Sequence, residues 1–308
     1  MAGFLEYAFH WRDKDQLPSL EDIFTTIDLS ANTGHHLGRR YGPRKLRALR
    51  RLLIYRVFSI LDRRYHGSVD IDRFLEAELG DAEPATTAFV VMNWDIALEN
   101  HLTSRYPHLA IDYCIDAQPW PGSKALTGPQ SLAVAKVHGS SNWVYCDNCR
   151  RLYYDISSKL SLRIQAGLLK ADLRLFDQSV SDRINRNVSG TRSAKACPYC
   201  KVVVGPHIAT FSFRKSFRTH AFQGTWAAAE RILSDAKRWL FVGYSLPPAD
   251  FEFKHLLKTA ELKGQVKKLS AKKIEVILFN DPVAEVNYRT FFGPRVVQIC
   301  QNGLANCI

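Results

Sequence analysis

Residues 132–143 read LAVAKVHGSSNW, a short apolar run that ends in a histidine, a glycine and further polar residues. The chain repeats this design from residue 87 onward, with helical stretches such as 223–237 and 250–263 between the runs. Such runs are typical of buried strands in a parallel sheet that is covered on both faces. The other runs are 88–92, 208–213, 239–242, 274–279 and 296–300. We therefore predict an α/β fold.

The composition is that of a chain with a packed core. Of 308 residues, 46% are apolar and 23% are charged, which excludes disordered, collagen-like and coiled-coil fibrous classes. No apolar run approaches the roughly 20 residues of a membrane helix. The N-terminal sequence becomes charged before the apolar core of a signal peptide can develop. We expect a soluble, cytoplasmic protein with no membrane partner.

The first 80 residues are predicted to be mainly helical. Ser19 precedes Glu21 and Asp22, a pattern that caps a helix and complements its dipole. A longer helix should follow over 44–65, where leucine, valine and isoleucine recur at steps of three and four.

Most of the net positive charge lies in this helical region. The net charge is +12, and residues 36–73 hold eleven Lys or Arg against three Asp, which accounts for eight of those twelve charges. A solvated helix face or a subunit contact explains such a run most simply. Nucleic acid, bound through its phosphates, is less favoured because Tyr55 and Phe58 are the only interleaved aromatics. An acidic partner protein is the third alternative.

Seven cysteines form two close pairs and three single positions. The odd count without a secretory signal predicts reduced thiols, with no disulfide framework. Two C-x-x-C pairs supply the four thiolates of a structural zinc site, which leaves no position open for water. Two unrelated thiol pairs and a redox C-x-x-C are the alternatives. The pairs are Cys146 with Cys149 and Cys197 with Cys200, and the single residues are Cys114, Cys300 and Cys307.

Polar residues follow four of the apolar runs, at the point where each predicted strand ends. Ligands of open α/β sheets bind beyond these carboxyl ends, so we expect the four segments to form one polar rim. Each also has a simpler explanation: Asn93 as a helix cap, His138 as a buried and satisfied histidine, and Gly243 as a tight turn. The segments are Asn93-Trp-Asp95, His138-Gly-Ser-Ser-Asn-Trp143, Gly243-Tyr-Ser245 and Asn280-Asp281.

The order of these motifs resembles that of the sirtuin (silent information regulator two) superfamily. VMNWD, KVHGSSNW, two C-x-x-C pairs, GPHIATFSF, FVGYSLPPAD and ILFND follow one another as the family's corresponding motifs do, from about residue 87 to residue 280. KVHGSSNW and GYSLPPAD look closer to divergent bacterial sirtuin-like domains of antiviral defence than to protein deacylases.

The resemblance implies a Rossmann-like parallel sheet with helices on both faces, plus a smaller module of helices and zinc. On this division, residues 1–80 form a helical region that belongs to the small module or contacts a partner. Residues 146–200 form the zinc-binding insertion. Residues 81–145 and 201–308 form the NAD-binding domain, without its first strand.

NAD is the substrate that the resemblance implies, with Asn93 and His138 as catalytic residues. Asn93 would hold the nicotinamide ribose or a water, Asp95 would orient the same network, and His138 would be the general base. These residue types suit the chemistry, because loss of nicotinamide leaves cationic character at C1′ of the ribose, which an amide oxygen stabilises. An imidazole takes a proton from water or from a ribose hydroxyl near neutral pH.

The other NAD contacts that the resemblance implies lie later in the chain. Gly243 and Ser245 would contact phosphate or ribose, and Asn280 would contact the adenosine end. Family members open with a Gly-Ala-Gly loop that cradles the pyrophosphate, whereas no G-x-G occurs among the 17 glycines here. Either the chain is truncated, the interpretation that we favour, or it is a degenerate member that binds NAD weakly or not at all. In both cases we expect the 308-residue product to be a poor enzyme.

The predicted reaction is hydrolysis of NAD+ to ADP-ribose and nicotinamide, in a bacterial antiphage-defence effector. Deacylases of the family carry Phe-Gly-Glu where Phe213 is here followed by Arg214 and Lys215, and a neutral acyl-lysine tunnel gains little from two cations. An NAD-dependent protein deacylase is the alternative enzyme. The alternative of another class is a non-catalytic subunit of a defence assembly. We expect a homo-oligomer, with a HerA-type ring ATPase or another defence protein as a partner.

Overall fold

The computed structural model describes residues 2–12, 17–33, 36–64, 67–80, 86–176, 196–209, 220–248, 250–266 and 272–307. The chain begins with four helices: α1 (Ala2–Phe9), α2 (Leu20–Asn32), α3 (Pro43–Arg64) and α4 (Val69–Leu79). The middle of the chain holds β1 (Ala88–Val91), α5 (Ala97–Arg105), β2 (Leu109–Asp112), β3 (Ala117–Pro119), β4 (Gln130–Lys136), β5 (Gly139–Tyr145), β6 (Leu152–Tyr154), α6 (Leu162–Gln165) and α7 (Lys170–Leu173). The last part holds β7 (Gly205–Ile208), α8 (His220–Asp235), β8 (Arg238–Val242), α9 (Phe251–Val266), β9 (Lys273–Ile277), α10 (Pro282–Phe292) and β10 (Val296–Cys300).

The described part of the first 80 residues holds the helices α1 to α4, in agreement with the helical pattern of the sequence. The Ser19 hydroxyl oxygen accepts a hydrogen bond from the Asp22 backbone N–H at 3.0 Å, and α2 begins directly after it. The apolar periodicity of the next stretch corresponds to α3, which packs on α2 through a buried cluster that includes Phe24, Ile27 and Leu46.

Part of the positive charge of α3 is neutralised inside the chain. Arg50 donates to Asp28 of α2 at 2.7 Å. Arg51 donates through two nitrogens to the two carboxylate oxygens of Asp172 in α7, at 2.8 and 2.7 Å. The interpretation of a solvated face therefore applies only to the more exposed cations, such as Arg44. The internal pairs fasten α3 to two other elements.

Two three-stranded parallel sheets carry the four predicted strand ends. In the first, β4 lies between β1 and β2, and in the second, β9 lies between β8 and β10. One cluster of buried side chains contains residues of β4, β8, β9 and the helices α8, α9 and α10, so the two sheets share a core. The fold is mixed α/β with parallel sheets, as predicted.

The described start of the run 208–213 belongs to an antiparallel strand, whereas we predicted a parallel one. Its first residue, Ile208, ends β7, which pairs antiparallel with β5 in a four-stranded sheet of order β3-β6-β5-β7. Residues 210–213 lie outside the described part of the chain. The prediction failed because an apolar run shows that a strand is buried but not which way it points.

Cys300 and Cys307 form a disulfide, which contradicts the prediction that all cysteines are reduced thiols. The chain turns after β10 and brings the two Cα atoms to 6.0 Å, within the usual range for a disulfide. An odd number of cysteines could not reveal this pair, because the count does not show which residues meet in space. Across the residues that the structure describes, no helix has both the length and the apolar character to span a bilayer.

Candidate functional site

The three residues 93–95, which lie after the end of β1, differ in how far their side chains are buried. Asn93 is exposed, Asp95 is half-buried and Trp94 is buried. The Trp94 indole N–H donates to the Ala209 carbonyl at 3.1 Å, which anchors the segment. The Asp95 carboxylate accepts from the Ala97 N–H at 3.0 Å, at the start of α5. The explanation of Asn93 as the helix cap is therefore wrong, and its side chain is left to face solvent.

His138 lies two residues after the end of β4 and is 7% exposed. Its Nε2 lies 3.8 Å from Asp250 Oδ1, and Asp250 Oδ2 accepts a hydrogen bond from the Tyr244 hydroxyl at 3.0 Å. Burial raises the pKa of Tyr244, so the phenol stays protonated and donates. An ion-pair contact and a hydrogen bond thus connect these three residues, which we call the His138–Asp250–Tyr244 triad.

The backbone after His138 requires a glycine. Gly139 has φ of +78°, and a Cβ at this position would lie 2.0 Å from the His207 carbonyl oxygen. The close approach of β5 to β7 at this point therefore sets the exit direction of the chain from the histidine. The His-Gly sequence in this segment has a structural reason.

The register of β1 and β4 brings Asn93 and His138 to the same edge of their sheet. Val91 pairs with Lys136 in parallel orientation, and the Val137 N–H still donates to the Val91 carbonyl at 3.3 Å. Asn93 and His138 each lie two residues beyond that last pair. They therefore follow neighbouring strands in equivalent positions.

Gly243, Ser245 and Asn280 follow the neighbouring strands β8 and β9 of the second sheet. Gly243 has φ of +63° and Asn280 has φ of +47°, so both segments turn sharply at the strand end. The Ser245 carbonyl accepts from the Asn287 amide at 3.2 Å, and the Ser245 and Asn280 side chains are exposed. The His138–Asp250–Tyr244 triad connects this rim to that of the first sheet. The two cations after Phe213 lie outside the described residues.

A buried ion pair that was not predicted from the sequence lies beneath the ends of β1 and β4. Lys136 and Glu99 are both fully buried, with Nζ and Oε1 2.9 Å apart. Lys136 also donates to the Asp95 carbonyl, and the Tyr113 hydroxyl donates to Glu99 at 3.3 Å. A lysine within the apolar run LAVAKV was the available signal, because an unpaired cation is not tolerated in a buried strand.

The two C-x-x-C pairs meet in one cluster, which rules out two unrelated thiol pairs. The four sulfur atoms lie within 4.8 Å of one another, and the shortest separations are 3.3 Å for Cys146 and Cys200 and 3.6 Å for Cys149 and Cys197. Tetrahedral zinc with sulfur ligands needs separations of about 3.8 Å. The cluster therefore fits a four-cysteine zinc ion.

The electrostatics of the cluster differ from one thiol to the next. The Asn148 side chain and the Val202 backbone hydrogen-bond to Cys200 and lower its pKa to about 6. Burial raises the pKa of Cys146 to about 12. A divalent cation would favour the thiolate form of every ligand, so the cluster is suited to a metal and the buried Cys146 is unsuited to redox attack at neutral pH.

A cavity of about 620 Å³ lies beside the first rim. We call it the α3 cavity, because residues of α3 form one wall and the others come from segments within 95–100, 141–142 and 155–165. Asp95 lines it, whereas Asn93, His138, Gly243, Ser245 and Asn280 do not. The cavity therefore shares Asp95, Ser141 and Asn142 with the predicted rim segments but none of the other proposed NAD contacts.

Comparisons with known proteins add a likeness of structure. No protein-family model matches the chain, and no curated protein matches it. Solved structures do. They are sirtuins. One, solved for the structural basis of sirtuin substrate affinity, is 14% identical with a TM-score of 0.42, over 97% of this chain and 84% of the other.

Two further sirtuin structures have a similar degree of likeness. Sir2Tm bound to a propionylated peptide is 15% identical with a TM-score of 0.41, over 92% of this chain and 80% of that one. Another structure on sirtuin substrate affinity is 15% identical with a TM-score of 0.35, over 77% of this chain. The matched region spans only 66% of the length of that sirtuin. These are sirtuins, the family that the motifs resemble, and a likeness of this size does not transfer an activity.

Proposed function

We propose that this chain binds NAD+ across the rim formed by the ends of β1, β4, β8 and β9 and hydrolyses it to ADP-ribose and nicotinamide. The observation that carries the proposal is the pairing of a solvent-facing amide, Asn93, with a histidine that is held by a carboxylate, His138. Both follow adjacent parallel strands. Ligands of parallel α/β sheets bind at this end of the strands.

The proposed chemistry needs one nucleophile and one base. The glycosidic bond between nicotinamide and C1′ of the ribose breaks, and its electron pair leaves with neutral nicotinamide. The amide oxygen of Asn93 stabilises the cationic character at C1′ and positions water. Water oxygen bonds to C1′ while its proton passes to His138. Asp250 stabilises the imidazolium that forms.

The ion pair of Lys136 and Glu99 supports this arrangement from the core. Lys136 lies in β4, two residues before His138, and holds the carbonyl of Asp95, two residues after Asn93. The pair therefore fixes the loop that carries Asn93 relative to the strand that carries His138. We assign Lys136 and Glu99 as positioning residues.

Zinc at the four-cysteine cluster would be structural. Cys146, Cys149, Cys197 and Cys200 would hold it, and four sulfur ligands leave no coordination position for substrate or water. The ion would contribute folding free energy by joining segments on both sides of 150–196.

An assay of NAD+ cleavage with and without an acyl-lysine peptide separates the proposed reaction from its alternative. A hydrolase releases nicotinamide and free ADP-ribose at the same rate in both samples. A deacylase would instead release nicotinamide only with the peptide and would transfer the acyl group, which overturns the proposal. The defence role, the homo-oligomer and the HerA-type ring ATPase partner stay predictions.

A further inference from the structure

The α3 cavity has a buried cation in its wall. Arg163, at 3% exposure, lines the cavity. Among the residues that the structure describes, none forms a hydrogen bond or an ion pair with its side chain. Two arginines of α3, Arg50 and Arg51, differ from it because they have carboxylate partners. An arginine withdrawn from bulk water without a protein acceptor is costly, so an anion bound in the cavity would stabilise it.

Unpartnered neutral groups lie in the same wall. Asn142 is 2% exposed, and neither its Oδ1 nor its Nδ2 has a hydrogen-bond partner. Burial raises the pKa of the nearby Tyr113 hydroxyl, and the Asn142 amide lowers it. The two side chains are nevertheless not in hydrogen-bond geometry. The Ser161 hydroxyl is also buried without a partner. The cavity wall thus holds a hydrogen-bond donor and an acceptor in the Asn142 amide and a cation in the Arg163 guanidinium.

The remaining walls suit the body of a ring-containing ligand. Tyr55 and Phe58 contribute aromatic surface from α3. Two carboxylates are available as acceptors, that of Asp95 in the wall and that of Asp62, which is exposed. Asp155 is also in the wall, but its oxygens already accept from the Ser157 and Leu160 N–H groups. A volume of about 620 Å³ is within the range of small-molecule sites.

We propose that the α3 cavity binds a phosphorylated nucleoside of the nucleoside monophosphate class. The Arg163 guanidinium would bind the phosphate in its fork, the Asn142 amide would pair with the edge of the base, and a carboxylate would accept from ribose hydroxyls. The site goes beyond the proposed function, because Arg163 and Asn142 take no part in it. Asp95 belongs to both, so ligand in the cavity would contact the segment that carries Asn93.

Isothermal titration calorimetry of the full chain with AMP tests the proposal, with adenosine and inorganic phosphate as half-ligands. We expect AMP to bind with a Kd below about 1 mM and each half-ligand to bind at least about tenfold more weakly. Arg163→Gln should weaken AMP binding by about tenfold or more. Arg163→Lys keeps the charge and should lie between the two, and its melting temperature shows whether the fold is intact. Arg174→Gln, an exposed arginine outside the cavity, is the matched control.

Two further titrations decide which site is occupied. Asn93→Ala should leave AMP binding unchanged, and Arg163→Gln should leave NAD+ binding unchanged. No heat of binding for AMP in the millimolar range would overturn the proposal. So would an unaltered AMP affinity in Arg163→Gln. If Arg163→Gln weakens NAD+ and AMP equally, the cavity is part of the dinucleotide site and the proposal of a separate site is wrong, while the proposed NAD+ hydrolysis is untouched.

Discussion

His138 Nε2 lies 3.8 Å from Asp250 Oδ1, an ion-pair separation between the end of β4 and the segment that follows β8. The other oxygen of the same carboxylate accepts from Tyr244 at 3.0 Å. One carboxylate therefore connects the ends of strands from two separate parallel sheets. The proposed base is held by a residue that is distant in sequence and lies on the opposite rim.

Removing the charge of Asp250 is expected to slow NAD+ cleavage. Asp250→Asn keeps the volume and an acceptor for Tyr244, but it no longer stabilises protonated His138. We expect cleavage to fall by roughly 10- to 100-fold, measured as nicotinamide released at saturating NAD+. Asp116→Asn, an exposed carboxylate outside the rim, is the control. Equal rates for the two variants would remove Asp250 from the mechanism.

Breaking the buried ion pair should destabilise the protein. Lys136→Met leaves the Glu99 carboxylate buried and uncompensated, so the free energy of unfolding should fall by about 3–5 kcal/mol. Urea denaturation followed by tryptophan fluorescence measures this loss. The double variant Lys136→Met with Glu99→Gln removes both charges and should recover most of it. A single variant as stable as the wild type would show that the pair is not needed for the fold.

The zinc assignment predicts a specific loss of metal. Cys197→Ser removes one of four sulfur ligands, so zinc content by elemental analysis should fall from about one ion per chain towards zero, and the melting temperature should fall with it. Cys114→Ser changes a cysteine outside the cluster and should retain the ion. Wild-type protein without zinc, or Cys197→Ser with an undiminished content, contradicts the assignment.

Because His207 is buried, we expect the protein to lose stability in acid. Burial lowers its pKa to about 4, and its Nε2 is buried without a partner, so the folded state favours the neutral ring. The unfolded state binds a proton at its ordinary pKa of about 6.5. Stability is therefore complete above pH 6.5 and decreases as the pH falls towards 4, by up to about 3 kcal/mol.

A substitution isolates that contribution. His207→Phe keeps the ring that stacks on Phe222, whose centroid is 4.1 Å away, and removes the titrating group. Its free energy of unfolding should change less than that of the wild type between pH 7 and pH 4. His108→Gln, at an exposed histidine, should follow the wild-type profile. Parallel profiles for the wild type and His207→Phe would contradict the prediction.

Local signals in the sequence predicted much of the fold. Ser19, followed by Glu21 and Asp22, indicated the start of α2, and the apolar periodicity indicated α3. Short apolar runs located five of the strands. Strand direction was not predictable at 208–213, because pairing partners are chosen by the tertiary fold and not by the run itself.

Individual residues of the candidate site were predictable from the sequence, but the contacts between them were not. Polar residues at strand ends drew attention to Asn93 and His138. Asp250 ends the motif FVGYSLPPAD, but its contact with His138 was not predictable, since a partner across two sheets leaves no local pattern. The disulfide of Cys300 and Cys307 escaped for a similar reason, because proximity after β10 depends on the turn that follows.

The most direct test of the account is the rate of NAD+ cleavage by the wild-type chain and by His138→Ala, with His108→Ala as the control. Since the chain contains no G-x-G, we expect slow turnover, and the assay should use enzyme in excess over NAD+ with both nicotinamide and ADP-ribose quantified. We expect cleavage by the wild type and the control, and a rate lower by roughly 100-fold or more in His138→Ala. Equal rates in all three proteins, or no cleavage in any, would contradict the proposed function.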